Sequence, residues 1–429
     1  MLDIQLIRQD PDAIAAALAK RGTVVDFAEF LGQDAAYRAL LTEVQEKKAL
    51  RNKVSSQVGA MKAKGEDTEP VFAQMRALGD EIAAADANAA AINEQMQNFL
   101  LALPNLPDAD VVAGDKEQNR AVSTFGTVPA FDFESQNHVD LATSLALIDY
   151  PRGAKLGGAG SWAYTGMGAR LELALVQFFL DTHIADGWQL ILPPHMLSWE
   201  NGLTAGQFPK FGEDVYWLNT EQGNGSGSFF LLPTAETALV NYHRAEILEA
   251  TDLPLRYTAY TPCYRREAGS YRQDERGMIR GHQFNKVEMV MYTTAEQSDA
   301  AFDELVGRAK KLMEMLGLHH QVVALAAGDI SHGMARTVDI EVYLPSMKGY
   351  KEVASISNAR DYQARRGNIR VRGADGKLTF AHTLNGSGLA TSRIFPAILE
   401  QYQTPEGGVT VPEVLRCYMG GLETIAPQE

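Results

Sequence analysis

The sequence predicts an α+β protein: an N-terminal antiparallel α-helical coiled-coil hairpin, followed by a large domain built on antiparallel β-sheet with flanking helices. Three observations predict it. A heptad seam runs without a miss through one of two long Ala/Glu/Lys/Gln-rich segments joined by a Gly/Pro-bearing turn. Strand-like runs in the second part alternate with helical patterns, and two of them flank an Asp375-Gly376 hairpin turn, which favours antiparallel pairing. Parallel-sheet nucleotide folds are disfavoured, because G-x-x-x-x-G-K-S/T is absent, Gly376-Lys377-Leu378 is only a turn, and Gly166-Met167-Gly168 is not completed to G-x-G-x-x-G.

Residues 1–30 read as a short mixed segment, and the hairpin is expected over about 34–103. In its second helix Met75, Leu78, Ile82, Ala85, Ala89, Ile92, Met96 and Phe99 follow alternating steps of three and four. The first helix is rougher: Tyr37, Leu40, Val44, Val54, Val58 and Met61 fit, with Lys47 and Arg51 intruding. Lys64-Gly65-Glu66-Asp67-Thr68-Glu69-Pro70 is the turn between them. Leu103-Pro104-Asn105-Leu106-Pro107-Asp108 ends the second helix, so the predicted domains are 1–110 and 111–429. In the larger one, helical patterns occur near 168–186, 234–248 and 296–316. Strand-like runs are Trp188–Leu192, Gln283–Tyr292, Val338–Leu344 and Ile369–Arg372.

Apolar residues make up 45% of the chain and charged residues 22%, which excludes a disordered or collagen-like protein. No apolar run approaches ~18 residues, so no membrane span is expected, and the opening MLDIQLIRQDPD lacks the charge pattern of a secretory signal. Two cysteines, Cys263 and Cys417, build neither a disulfide framework nor a four-ligand zinc site, and a reducing cytoplasm is the expected location. The 39 basic and 54 acidic side chains leave a formal charge of −15, which taken globally argues against a nucleic-acid partner. The distribution reverses that inference: Lys47, Lys48, Arg51, Lys53, Lys62 and Lys64 form a run without an acid on the first hairpin helix. Such a stripe suits either a solvated or dimerising face, or a rod that grips phosphates.

The chemistry-bearing segment is Tyr264-Arg265-Arg266-Glu267-Ala268-Gly269-Ser270, followed by Arg276-Gly277-Met278-Ile279-Arg280-Gly281-His282-Gln283-Phe284-Asn285-Lys286-Val287-Glu288. It reads as strand, basic loop, strand. Arginines near a strand end hold phosphate oxygens through forked, charge-assisted bonds, and Phe284 offers a flat face to a base. Glu288 lies amid Val287, Met289, Val290 and Met291, where a carboxylate must meet a cation or donor. Cys263 and the methionines read as core filler, and Asn285 and Lys286 as strand-surface groups.

This block resembles motif 2 of the class II aminoacyl-tRNA synthetases, in the form found in the seryl-tRNA synthetase family. Thr383-Leu384-Asn385-Gly386-Ser387-Gly388-Leu389-Ala390-Thr391-Ser392-Arg393 resembles motif 3. Leu232-Pro233-Thr234-Ala235-Glu236 resembles the serine-binding TxE loop, and the segment from Arg170 to Pro193-Pro194 is similar to motif 1, the dimer-interface element. The likeness runs nearly end to end. It implies a homodimer that joins L-serine to ATP and passes the seryl group to tRNA(Ser), with the selenocysteine tRNA as a further candidate. It implies that Arg265, Arg266, Glu267, Phe284, Glu352, Val353, Ala354, Ser355 and Arg393 bind ATP. Of these, Arg265 would lie on the α-phosphate, and Arg393 would stack near the adenine, opposite Phe284, and contact the γ-phosphate; Arg265, Arg393 and Glu352 would be catalytic. Glu352 and Ser355 would hold Mg²⁺, whose preference is for oxygen ligands. Thr234, Ala235, Glu236, Glu288 and Ser387 would hold serine, and the six hairpin cations the tRNA.

The loop Ser270-Tyr271-Arg272-Gln273-Asp274-Glu275-Arg276 departs from the family pattern at Arg272 and Glu275, which bears on acceptor-stem contacts. Leu203-Thr204-Ala205-Gly206-Gln207, Ile356-Ser357-Asn358-Ala359 and Thr391-Ser392 depart too, without removing a charge or hydroxyl the chemistry needs. Three rival readings stand beside the leading one: a relative that loads a carrier protein, a non-catalytic RNA-binding derivative, and a catalytic paralogue resistant to a serine-mimicking inhibitor. The hairpin and TxE loop argue against the first, and the retained Arg265, Glu288 and Arg393 against the second.

Overall fold

The structure is a computed structural model that describes residues 1–218, 227–267 and 277–427. Contacts divide the chain into two units. One comprises residues 2–19 and 24–103, the other residues 1, 20–23 and 104 onward.

The first unit is dominated by two long helices, α1 (Ala28–Ala63) and α2 (Glu69–Ala102). At 1.5 Å per residue each is about 50 Å long. Gly65, with φ of +71°, ends α1: the Glu66 amide donates to the Met61 carbonyl and the Gly65 amide to Lys62, which satisfies the last orphan carbonyls. The predicted seam is where the helices meet. Val44, Val54, Leu78, Ile82, Ala85, Ala89 and Met96 are buried along it, and at its base Phe30 stacks on Phe99 with centroids 5.0 Å apart.

In the second unit, eight strands among the described residues form one sheet. In chain order they are β1 (Arg120–Phe125), β2 (Gln189–Leu190), β3 (Leu255–Tyr264), β4 (Gln283–Thr293), β5 (His320–Ala324), β6 (Arg336–Leu344), β7 (Gly349–Arg360) and β8 (His382–Ala390). The spatial order is β1-β5-β6-β7-β8-β4-β3-β2; all pairs are antiparallel except the edge pair β2–β3. Helices α3 (Gly166–Ala185), α4 (Ser298–Met315) and α5 (Thr391–Gln401) contribute Leu171, Phe179, Leu305, Leu312, Phe395 and Ile398 to the main core, against Val287, Met289, Met291, Ile340 and Val342 of the sheet. Gly168 is required in α3, since a Cβ there would lie 2.1 Å from the Leu147 carbonyl oxygen.

The helix expected over 234–248 is a correction: only Ala235–Leu239 is helical. Ala245, with φ of +64°, turns the chain, and Ile247–Glu249 pairs in parallel with Arg370–Arg372. Tertiary pairing overrides local propensity there. The Asp375-Gly376 turn does join antiparallel strands, Arg370–Arg372 and Leu378–Phe380.

Candidate active site

Side chains alternate across a strand, so Phe284, Lys286 and Glu288 of β4 share one face while Val287 and Met289 point into the core. Register brings Glu288 opposite Ser387 of β8 and Ala259 of β3. Asn385 on β8 pairs with Ser357 of β7, and Ser355 of β7 with Asp339 of β6. The predicted residues are thereby gathered from positions far apart in sequence.

Glu288 is fully buried, and the partners its position demands are present. Thr234 Oγ1 donates to its Oε2 at 3.2 Å, Asn385 Nδ2 donates to Oε1 at 3.2 Å, and Lys286 forms a close ion pair with Oε2. Lys286 is therefore not a strand-surface group, as its sequence position suggested. It is 7% exposed, and Nζ also donates to Thr234 Oγ1 at 2.8 Å. Thr234 caps the helix Ala235–Leu239, its Oγ1 accepting from the Glu236 amide. Glu236 is buried beside them, and Gln363 Nε2 donates to its Oε1 at 2.8 Å. Burial, and next the neighbouring charge of Glu288, push the Glu236 carboxyl up to about 7. Gln363 is itself fixed by Thr383 Oγ1 and the Ala205 carbonyl. Ser387 is buried in the same neighbourhood, whereas the Ala235 side chain belongs to the apolar cluster beneath the short helix.

A second group lies on the same sheet face. Arg265 follows β3; its guanidinium stacks over Phe284 at 5.1 Å and Nε donates to the Pro233 carbonyl. Arg393 on α5 meets Glu352: Nη1 donates to the Glu352 carbonyl at 2.6 Å and lies 3.4 Å from its Oε2. Arg266 is exposed and donates to the Glu213 carbonyl, while Glu267 pairs with Arg280 at 3.2 Å. Val353 and Ala354 have their side chains in the core. His282 Nδ1 donates to the Arg265 carbonyl at 3.1 Å, which places that loop. The Cys263 thiol is buried, and burial raises it above its ordinary range.

Among the described residues no cluster of three or more His, Cys, Asp or Glu side chains is gathered to hold a metal. Glu352, Ser355 and the adjacent Asp339 nevertheless make an all-oxygen set. Asp339 is 8% exposed, hydrogen-bonded by Ser355, and its Oδ1 has no partner. Such hard, anionic donors fit Mg²⁺. Asp339, Asn385, Gln363 and Lys286 are the residues that sequence reading missed. Asn385 lies within the segment Thr383–Arg393, and the alternation of β4 puts Lys286 on the face of Glu288.

The six hairpin cations fall into two sets. Lys47 pairs with Glu43 and Glu81, both at 2.8 Å, and Lys48 with Asp86 at 3.1 Å, so these two tie the helices together. Arg51, Lys53, Lys62 and Lys64, toward the turn, have no carboxylate at ion-pair distance among the described residues; Lys62 lies over the Phe72 ring. The predicted departures at Arg272 and Glu275, with Ala268, Gly269, Ser270 and Arg276, lie outside the described residues.

Residues 1–107 match the seryl-tRNA synthetase N-terminal domain, and residues 216–402 the tRNA synthetase class II core domain (G, H, P, S and T). The chain is 52% identical to Serine--tRNA ligase 2 of Clostridium acetobutylicum, covering 98% of this chain and 99% of that one. The chain belongs to the seryl-tRNA synthetase family. A second member, Serine--tRNA ligase of Burkholderia multivorans, is 47% identical over 99% of this chain and 98% of its own. Among solved structures, the seryl-tRNA synthetase of Pyrococcus horikoshii complexed with ATP superposes with a TM-score of 0.91 at 32% identity, covering all of both chains. Prolyl-tRNA synthetase of Giardia lamblia, at 15% identity and a TM-score of 0.57 over 67% of this chain and 57% of that one, shares the fold alone. Both the hairpin and the sheet architecture are therefore those of a seryl-tRNA synthetase.

Proposed function

We propose that this chain is a serine–tRNA ligase whose β4 face carries both the amino-acid and the nucleotide site. The single observation that carries the reading is the buried Glu288, ringed by Thr234, Asn385 and Lys286, on the same strand face as the Arg265–Phe284 pair. The carboxylate of serine attacks the α-phosphorus of ATP; the bond to the β-phosphate oxygen breaks, giving seryl-adenylate and pyrophosphate. A terminal ribose hydroxyl of tRNA(Ser) then attacks the seryl carbonyl and AMP leaves. The first nucleophile is already ionised, so alignment and charge stabilisation carry the step without a dedicated base.

Glu288, Thr234 and Glu236 hold the ammonium and hydroxyl of serine, with Ser387 beside them. Arg265 stabilises charge on the α-phosphate, Phe284 presents a flat face to the adenine, and Arg393 reaches the γ-phosphate. Glu267 and the main chain of Val353 and Ala354 contribute to the nucleotide site; Arg266, pointing outward in the free protein, joins it only by turning inward. Glu352 and Ser355 would hold Mg²⁺, which supplies neutralisation of phosphate charge when bound. A pocket built around a hydroxyl rejects alanine by roughly 10⁴, because its own polar groups are otherwise left unpaired.

The 1–110 region is the tRNA-handling domain and 111–429 the catalytic one. The cations nearest the hairpin turn meet the long variable arm of tRNA(Ser) through its backbone. The enzyme acts as a homodimer in the cytoplasm. A groove lined by Leu190, Leu192, Pro194, Met196 and Phe229, beside the open edge of β2, exposes 74% of Leu192 and 61% of Met196. Apolar surface of this kind at a sheet edge suits a second copy. No helix among the described residues is long and apolar enough to cross a membrane.

The deciding experiment is serine-dependent ATP–pyrophosphate exchange, followed by aminoacylation of tRNA(Ser) with and without its variable arm. Exchange that ignores serine, or charging indifferent to the arm, would overturn the respective half of the assignment.

A further inference from the structure

We propose that Lys286 is a resident counter-ion of the serine pocket: in the free enzyme its ammonium occupies the place of the substrate's ammonium, and it moves to the substrate's carboxylate when serine binds. The inference rests on the reading of Thr234 and Glu288 as the ammonium site. Lys286 Nζ donates to Thr234 Oγ1 at 2.8 Å and pairs with Glu288 Oε2, two of the three groups to which that reading assigns the ammonium and hydroxyl of serine. The Lys286 side chain is 9% exposed and that of Glu288 0%, so the pair is a desolvated unit. Removing one partner of such a unit leaves an uncompensated buried charge.

Serine enters as a zwitterion. Its ammonium can take over Glu288 and Thr234 while its carboxylate receives Nζ, so every buried charge keeps a partner. The flexible four-carbon stem of lysine permits the shift, and its position two residues before Glu288 on one strand face keeps Nζ within the pocket. Arg265 is engaged on Phe284 and the Pro233 carbonyl, which leaves Lys286 as the cation already inside the pocket. An amine without a carboxylate displaces Lys286 and offers it nothing in return. The pocket therefore tests both ends of the amino acid before nucleotide chemistry begins, and Lys286 is a positioning and specificity residue.

The test is calorimetric binding of L-serine and of ethanolamine, which keeps the ammonium and hydroxyl but lacks the carboxylate, to the full chain without ATP. Wild type is expected to bind ethanolamine about tenfold or more weakly than serine. In Lys286→Met, serine weakens about tenfold or more, whereas ethanolamine binds as well or better because Glu288 lacks its cation, so the ratio collapses toward one. Equal weakening of both ligands, with an unchanged circular dichroism spectrum, overturns the proposal. If Lys286→Met does not fold, Lys286→Gln, whose uncharged amide can still bond both oxygens, carries the same comparison. A wild-type protein that neither binds nor activates serine overturns the underlying assignment, and the counter-ion role with it.

Discussion

At the scale of single residues, the pocket is governed by how buried charges are compensated. Truncating Glu288 to Ala would open a cavity and remove the hydrogen-bond acceptors of Lys286 and Thr234 together with the charge, so the more informative variant is Glu288→Gln, which keeps volume and an accepting oxygen and removes the charge alone. Losing one charge-assisted bond costs about 1.5–3 kcal/mol, so kcat/KM for serine in pyrophosphate exchange should fall about 10- to 150-fold, with KM for ATP little changed. Undiminished serine kinetics would remove Glu288 from the site. Glu236 provides a pH signature. Its carboxyl is raised to about 7 by burial and by Glu288, and the ionised form is the one that attracts an ammonium. Serine binding therefore strengthens as pH rises through 7 and releases a proton below it. Between pH 6 and 8 the serine KM should drop by up to about tenfold, and Glu236→Gln should flatten that profile. A wild-type profile with no step near 7 would show that Glu236 is not the titrating partner. Lys286, Gln363 and Asn385 were not legible as pocket residues, because an isolated polar side chain, on a strand for Lys286 and Asn385 and on the short helix Tyr362–Gly367 for Gln363, reads equally well as a solvated face. What covers Lys286 is the loop and short helix beginning at Thr234, laid over β3 and β4.

At the scale of elements, the hairpin was the most legible part of the chain. Its seam repeats every three to four residues, and the residues that create it are neighbours along the helices. The cation stripe was legible as a stripe but not as two sets. Lys47 and Lys48 lie opposite Glu81 and Asp86, and only the register between helices decides which basic residues are spent on the hairpin itself. Deleting residues 35–98 should leave pyrophosphate exchange intact while abolishing charging of tRNA(Ser), measured as acid-precipitable seryl-tRNA. Charge removal at Lys53 and Lys64 should weaken tRNA binding more than removal at Lys47 and Lys48, and should lower the salt dependence of binding. Comparable losses from both pairs would argue against a contact centred near the turn. The helix expected over 234–248 was misjudged for an opposite reason: after Leu239 the chain follows a parallel partner, Arg370–Arg372, that no local pattern reveals.

At the scale of the whole molecule, the exposed groove by β2 makes assembly a prediction. The protein should sediment as a dimer, and Leu192→Glu with Met196→Glu should produce a folded monomer with impaired exchange. A wild type that is monomeric at catalytic concentrations would leave the groove to another use. The net charge of −15, which first warned against a nucleic-acid partner, describes solubility here; the partner is read from where the cations lie.

Periodicity and the order of short motifs were sufficient to specify the α+β class, the hairpin, the loop–strand block around Arg265 and Glu288, and through them the family. Each of those signals is carried by residues close together in sequence. The pairing of Lys286 with Glu288, the support of Glu236 by Gln363, the orphaned oxygen of Asp339 beside Ser355, and the meeting of Arg393 with Glu352 were decided only by the fold. Burial and strand register set the electrostatics of these groups, and both are properties of long-range packing that no local window contains.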